Sequence, residues 1–283
     1  MILRLDPRLP LVWRNPSGIQ LGIDPPVTRI DELSPTQERL LSALEVGVSA
    51  TGLAMMAGGR TEEHDQLLAL LSPALVRESP APDATVALSG SGPLVDAIGT
   101  TLSRSGIRVL VAPNAADLAE TAPDIAIVAG HFVLDPEAHS LWLRRDVPHL
   151  PVVLGDAALV LGPFIEPGSG PCLLCLELHR RDADEAWPAI ATQLLGRRSR
   201  AESAILVAEG AATVARMLLE RLRSGTGAPL AVRIDEATGA RTTSLWAPHP
   251  ECGCLGLSVS PGLPGSDWAT AARLAPAAGS STS

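Results

Sequence analysis

All four cysteines of this 283-residue chain fall into two close pairs, Cys172-Leu-Leu-Cys175 and Cys252-Gly-Cys254. A C-x-x-C turn sets two thiolates on one side of a metal ion. A second close pair completes a tetrahedral sulfur site, which is structural because no position stays open for water. Zinc is the ion this chemistry predicts. The C-x-C half has the less usual spacing, so His249 or His179 stands as an alternative to one thiolate. A redox role for the C-x-x-C pair is disfavoured by the presence of its partner pair, and disulfides by the reducing compartment argued below. With 76 residues between Cys175 and Cys252, a shared ion ties a mid-chain segment to the far end, a closure that contributes to folding. Four thiols held on a metal leave none as a nucleophile.

A second chemical signal is Leu88-Ser-Gly90-Ser-Gly92-Pro-Leu-Val95, placed between a predicted strand and a predicted helix. In that context a glycine-rich turn points backbone N–H groups and a helix N-terminus at a phosphate. Gly90 and Gly92 supply the first two glycines of G-x-G-x-x-G. Val95 holds the third place, and Pro93 has no N–H to give. The next strand ends Val111-Ala-Pro-Asn114, without the acid that would hold a ribose hydroxyl. The loop reads as the remnant of a nucleotide site. His131, just past the predicted strand 124–128, lies where α/β sites usually sit, but no neighbour in sequence makes it a dyad.

Composition narrows the functions further. The 22 basic residues are all Arg, which excludes Schiff-base chemistry and the phosphate loop that needs a Lys. Against 31 acids the formal net charge is −9, the wrong sign for neutralising a nucleic-acid backbone. Two Phe, five Trp and no Tyr leave little for bases to stack on. The start of the chain lacks a basic segment followed by an apolar one, and no run of about 18 uncharged apolar residues occurs. The expectation is a cytoplasmic protein that neither spans a membrane nor binds nucleic acid. Arg180, Arg181, Arg197, Arg198 and Arg200 form the one basic concentration, offset by Asp182, Asp184 and Glu185, and read as a solvated face.

The elements that must position these groups fall into two units. Residues 1–80 contain extended runs at 9–14 and 19–23 around Asn15-Pro-Ser-Gly18, a hairpin pattern. Ser34-Pro-Thr-Gln37 opens a helix with a capping box, and Ser49 and Thr61 are cap candidates for two more. The third helix is expected to bury Leu67, Leu68, Leu70, Leu71 and Leu75. A hairpin with three helices is winged-helix-like content. DNA binding is disfavoured because the third helix opens Glu62-Glu63-His64-Asp65 and the unit carries 7 Arg against 10 acids. A peptide added as a strand to the hairpin edge suits it better. A linker is expected at 79–82. From 84 the pattern alternates strand (84–88), helix (95–104), strand (108–111) and strand (124–128), the βαβ rhythm of a parallel sheet. Hairpins follow at 151–161 and 230–246, a long small-residue-rich helix spans 203–223, and a loose tail begins at 258.

Taken together, the run from Gly162 to Arg180 (Gly162-Pro-Phe-Ile-Glu-Pro-Gly-Ser-Gly-Pro-Cys172-Leu-Leu-Cys175-Leu-Glu-Leu-His-Arg180), Trp187-Pro188, Gln193-Leu194 and His249-Pro-Glu-Cys252-Gly-Cys254 resemble one family. It is the ThiF-like proteins, relatives of ubiquitin-activating enzymes, that accompany cyclodehydratases in making thiazole- and oxazole-modified peptides (bacteriocins among them). The resemblance covers about 84–255 strongly and 1–80 more weakly. It implies a winged-helix-like leader-peptide recognition unit at 1–80, a Rossmann-like ThiF-type domain at 84–257 and a tail at 258–283. It further implies structural zinc on Cys172, Cys175, Cys252 and Cys254, a leader groove lined by the hairpin at 9–23 and the helix at 61–76, and a homodimer. The chain departs from adenylating relatives in its truncated glycine loop, in the missing acid, and in the short 115–123 segment where those enzymes carry Asn, Arg, Gln and Lys contacts. ATP binding is therefore not expected, and ATP is consumed by a separate YcaO-type partner. The function implied is non-catalytic binding of a ribosomal precursor's leader and its presentation to that partner. The alternative is an ATP-dependent adenylyltransferase acting on a peptide terminus through Gly90 and Gly92.

Overall fold

The computed structural model describes residues 2–76 and 83–255. The expected linker at 79–82 and the tail from 258 lie outside the described residues. The chain divides into two compact units between residues 79 and 80.

The first unit begins with β1 (Ile2–Leu3) and a three-stranded antiparallel sheet, β2 (Leu11–Trp13), β3 (Ile19–Leu21) and β4 (Thr28–Ile30), in the order β2-β3-β4. The expected hairpin is β2–β3. Asn15 Oδ1 accepts from Ser17 N and Gly18 N at the turn, and Arg14 N donates to Gly18 O at 2.8 Å. β4 was not expected from the pattern; it covers the second edge of β3, which leaves β2 and β4 as the sheet's edges. Then come α1 (Pro35–Val46), β5 (Val48–Ser49, paired with β1), α2 (Ala50–Met56) and α3 (Thr61–Leu71).

The capping box at Ser34 and Gln37 forms in both directions, and Ser49 caps α2 through Gly52 N. Thr61 is not a cap. Arg60 holds that position without a side-chain bond, and Thr61 is already the first helical residue. Helical period explains the apolar face of α3: Leu67 and Leu71, four apart, are fully buried with Leu40, Leu44 and Leu53, whereas Leu70 is exposed.

The second unit is one seven-stranded sheet in the order β12-β11-β10-β9-β8-β6-β7. Its strands are β6 (Thr85–Ser89), β7 (Arg108–Ala112), β8 (Ile125–His131), β9 (His149–Leu154), β10 (Ala158–Leu161), β11 (Leu230–Asp235) and β12 (Arg241–Leu245). β7, β6, β8 and β9 run parallel, and β10 to β12 extend the sheet as antiparallel hairpins. The helices are α4 (Pro93–Arg104), α5 (Pro136–Arg144), α6 (Leu173–Ala183), α7 (Trp187–Leu194) and α8 (Ala204–Ser224).

Strand alternation sorts the core onto two faces. Val86 and Leu88 of β6 and Ile125 and Ile127 of β8 pack with Ile98 and Leu102 of α4 and Val214 and Leu218 of α8. Ala87, Ala126 and Val128 point the other way, onto Ala138 and Trp142 of α5 and the short 3-10 turn Ala115–Leu118.

The small residues of α8 serve this packing. A Cβ on Gly210 would collide with Leu159 of β10 and press on Leu94 of α4. Gly210→Val is expected to lower the unfolding free energy by about 1–3 kcal/mol, measured as a shifted denaturant midpoint at unchanged slope.

Candidate metal centre and strand-end cleft

Cys172 caps α6 and Cys175 sits in its first turn, so the helix start presents both thiols to one point. The approach is set by Glu166, Gly168 and Gly170: Glu166 pairs with Ser169, both glycines have positive φ, and Arg221 of α8 holds the Glu166 carboxylate bidentately. The other pair arrives from the turn at Gly253–Leu255. All four sulfurs lie within 4.8 Å of one another. Cys172 Sγ is 3.8 Å from Cys175 Sγ and 3.6 Å from Cys252 Sγ, and Cys175 Sγ is 3.5 Å from Cys254 Sγ. A tetrahedral site with metal–sulfur bonds of about 2.3 Å has sulfur–sulfur edges of about 3.8 Å, so the donor set fits a zinc-sized ion.

Burial pushes the Cys172 thiol up to about 12 and raises Cys254 as well. At Cys175 burial also acts upward, but hydrogen bonds from the backbone at His249 and Cys172 and from neighbouring thiols outweigh it and lower the value. Thiolates this close repel one another. A dication is the species that deprotonates such a set and holds it together.

Neither histidine ring joins the sulfur cluster. His249 is buried; its Nε2–H donates to Asp182 Oδ2 at 2.9 Å while Nδ1 accepts from Glu251 N at 3.1 Å. His179 Nε2–H donates to Ala247 O at 3.0 Å. Their work is to fasten the 246–254 segment to the end of α6, where Arg181 also bonds Glu251 at 2.8 Å. Supports of this kind orient ligands without touching the metal.

The glycine loop lies at the carboxyl ends of the parallel strands, beside a cleft of about 600 Å³ lined by Gly90, Ser91, Leu94, Pro113, Gly130, His131, Arg198 and Glu202. A second hollow of similar size continues past Asn114, Asp117, Asp135 and Glu137. This is where the strand order reverses, with β7 and β8 on opposite sides of β6, the usual ligand position in open α/β sheets.

Gly90 and Gly92 both adopt positive φ, +134° and +114°, and a Cβ on Gly90 would press on Ala129 O. Three positions of the loop nonetheless offer a phosphate no free donor. Gly90 N donates to Ala112 O at 3.0 Å, position 93 is proline, and Leu94 N donates to Glu202 Oε1 at 2.9 Å. Arg198, which the charge pattern assigns to a solvated face, lies against Gly92 and donates to Ser91 O at 3.3 Å. His131 lines the same cleft; burial and then Arg198 lower its pKa, and Ser199 N donates to its Nδ1 at 3.4 Å. Nothing in sequence spacing points to Glu202, which lies 108 positions from its partner Leu94.

No protein-family model and no curated protein matches the sequence. Among solved structures, a heterocyclase in complex with substrate and cofactor superposes with a TM-score of 0.68 at 17% identity, over 90% of this chain and 39% of that one. The heterocyclase TruD gives 0.68 at 16% identity over 89% of this chain and 42% of its own. E. coli MccB with AMPCPP and selenomethionyl MccA gives 0.61 at 13% identity over 90% of this chain and 99% of its own. The chain therefore shares a fold with these proteins and spans about two fifths of the length of the two heterocyclases. Among the described residues, no helix is long and apolar enough to cross a membrane.

Proposed function

We propose that this protein is a non-catalytic, zinc-stabilised ThiF-like partner in peptide maturation. It binds the leader of a ribosomal precursor peptide and presents it to a YcaO-type cyclodehydratase that spends the ATP, and it works in the cytoplasm as a homodimer. The observation that carries the non-catalytic part is the depleted donor set of the glycine loop. Gly90 N, position 93 and Leu94 N have no donor to offer a phosphate, and Arg198 rests on the loop.

The leader-binding part draws on the first unit, a winged-helix-like body. The hairpin at 9–23 and the helix at 61–76 frame the groove. β2 and β4 are sheet edges able to take an added strand. Thr28 of β4 is tied to Leu70 O of α3 at 3.0 Å, and Val27 and Leu70 leave apolar surface exposed there. The fold shared with a heterocyclase bound to substrate and with MccB bound to MccA supports a peptide ligand.

Fluorescence anisotropy with leader peptides of precursors encoded nearby tests the reading. Saturable binding is expected, weakened at least about tenfold when Leu70 and Val27 are both changed to Asp. A folded protein that binds none of these peptides overturns it.

MccB was solved with a nucleotide analogue and shares the fold across nearly its whole length, which favours a second reading, an adenylyltransferase using Gly90 and Gly92. Saturable ATP binding at micromolar concentration by the unaltered chain, abolished by Gly92→Asp, selects that reading instead.

A further inference from the structure

We propose that Glu202 is a built-in anion: its carboxylate takes the Leu94 amide at the start of α4, where a phosphate would bind, and its charge turns phosphate-bearing ligands away from the strand-end cleft. The inference rests on the non-catalytic reading above and names the residue responsible.

The start of α4 has the features that attract an anion. Gly92 is its cap, Pro93 its first residue, and the first intrahelical bond, Asp96 N to Gly92 O, leaves the amides before it for an outside acceptor. That acceptor is Glu202 Oε1, 2.9 Å from Leu94 N, on a side chain only 13% exposed. A cation accompanies it, as it would a phosphate: Arg198, four residues earlier in the same non-helical segment, stands 3.9 Å from Glu202 Oε2 and donates to Ser91 O. Loop glycine, helix start, arginine and anion are thus all present, and the anion belongs to the chain.

The placement is held by other bonds. Ser199 is buried, its Oγ donates to Gly155 O at the end of β9 and accepts from Ala201 N at 3.0 Å, and its amide reaches His131 at the end of β8. Ser203 then caps α8 through Leu206 N at 3.3 Å. Glu202 is therefore delivered to the Leu94 amide of α4 by a segment pinned on both sides. A phosphate competing for this position must displace a carboxylate that pays no translational entropy to bind. It must also approach that fixed negative charge.

Removing the carboxylate frees Leu94 N and releases Arg198 from its internal partner, while the cleft beside them is already about 600 Å³. The test is titration of inorganic phosphate and of ATP into the full-length wild type, Glu202→Ala, Glu202→Gln and the double variant Glu202→Ala/Arg198→Ala, with circular dichroism and metal content showing that each is folded. Glu202→Ala is expected to bind phosphate with Kd of about 1 mM, at least about tenfold tighter than wild type. Glu202→Gln, which keeps an acceptor for Leu94 N without the charge, is expected to fall between them, and the double variant to lose the gain.

Equal, negligible binding by wild type and by both folded single variants overturns the assignment to Glu202 while leaving the non-catalytic reading standing. Saturable micromolar binding of ATP by the wild type, as tight as that of Glu202→Ala, overturns both.

Discussion

Replacing Cys175 by Ser is expected to abolish binding of one metal ion per chain and to lower the unfolding free energy of the α/β unit by at least about 4 kcal/mol, part of the roughly 10–16 kcal/mol a structural zinc site can supply. Cys175 is fully buried and contacts two of the other three thiols. A hydroxyl there is a poor zinc ligand and leaves three sulfurs around an open position. The loss is amplified by connectivity, because a shared ion would join the start of α6 to a segment about 80 residues away. His249→Gln is the informative comparison: its ring bonds Asp182 and Glu251, so the variant is expected to keep one ion per chain with affinity weakened about 10–100-fold. Metal analysis of both proteins, with denaturant unfolding, checks the pair of results. Full metal occupancy in Cys175→Ser, or none in His249→Gln, would refute the four-sulfur assignment.

The second large effect is acid sensitivity. His149 of β9 is fully buried, and its Nδ1–H donates to Val147 O at 3.0 Å, leaving Nε2 buried without a partner. His139 of α5 has its ring 5.7 Å away and its own Nδ1 buried and unpartnered. Burial holds both imidazoles at about 4, below the ordinary 6.5.

The direction follows from which state takes the proton. Above pH 6.5 both folded and unfolded chains keep these rings neutral, and stability is full. Between 6.5 and 4 the unfolded chain binds protons that the folded chain refuses, so stability falls as pH drops. Below 4 both states are charged and the contribution is exhausted. For His149 a depression of this size corresponds to about 3 kcal/mol, with His139 adding a smaller amount.

Denaturant midpoints measured from pH 7 to 4.5, with metal content followed in parallel, should decline through that window, and His149→Phe should flatten the decline by about one proton's worth. An unchanged slope in His149→Phe would show that another group governs the acid response.

Much of the local structure was legible because it depends on neighbours in sequence. The Ser34–Gln37 capping box and the Asn15–Gly18 turn are each decided within four residues and the strand-helix-strand succession of β6, α4 and β7 within 28, and each forms. What escaped the pattern has weak local signals. β4 is three residues long, and α5 is a short helix whose identity depends on Trp142 finding the core under the sheet. α6 and α7 follow in a segment whose composition reads as metal ligands and charge before it reads as helix, and α7 buries no residue at all. The exposed Leu70 and the uncapped Thr61 are errors of about one position in helical phase, enough to turn a side chain outward.

The candidate sites divide along the same line. The sequence alone determined which atoms could hold a metal, because thiols in two close pairs are the donor pattern of a tetrahedral sulfur site. It also determined that the glycine loop was incomplete, because Pro93 and Val95 are read directly. Only the tertiary structure decided that the four sulfurs lie at tetrahedral spacing while His179 and His249 turn away to support the loop. It alone decided that Glu202 occupies the Leu94 amide at the start of α4. Both outcomes depend on where chain segments roughly 80 to 110 positions apart are brought together, and that is set by the packing of α4 and α8 on the sheet and of α6 against Ile165, which no local pattern encodes.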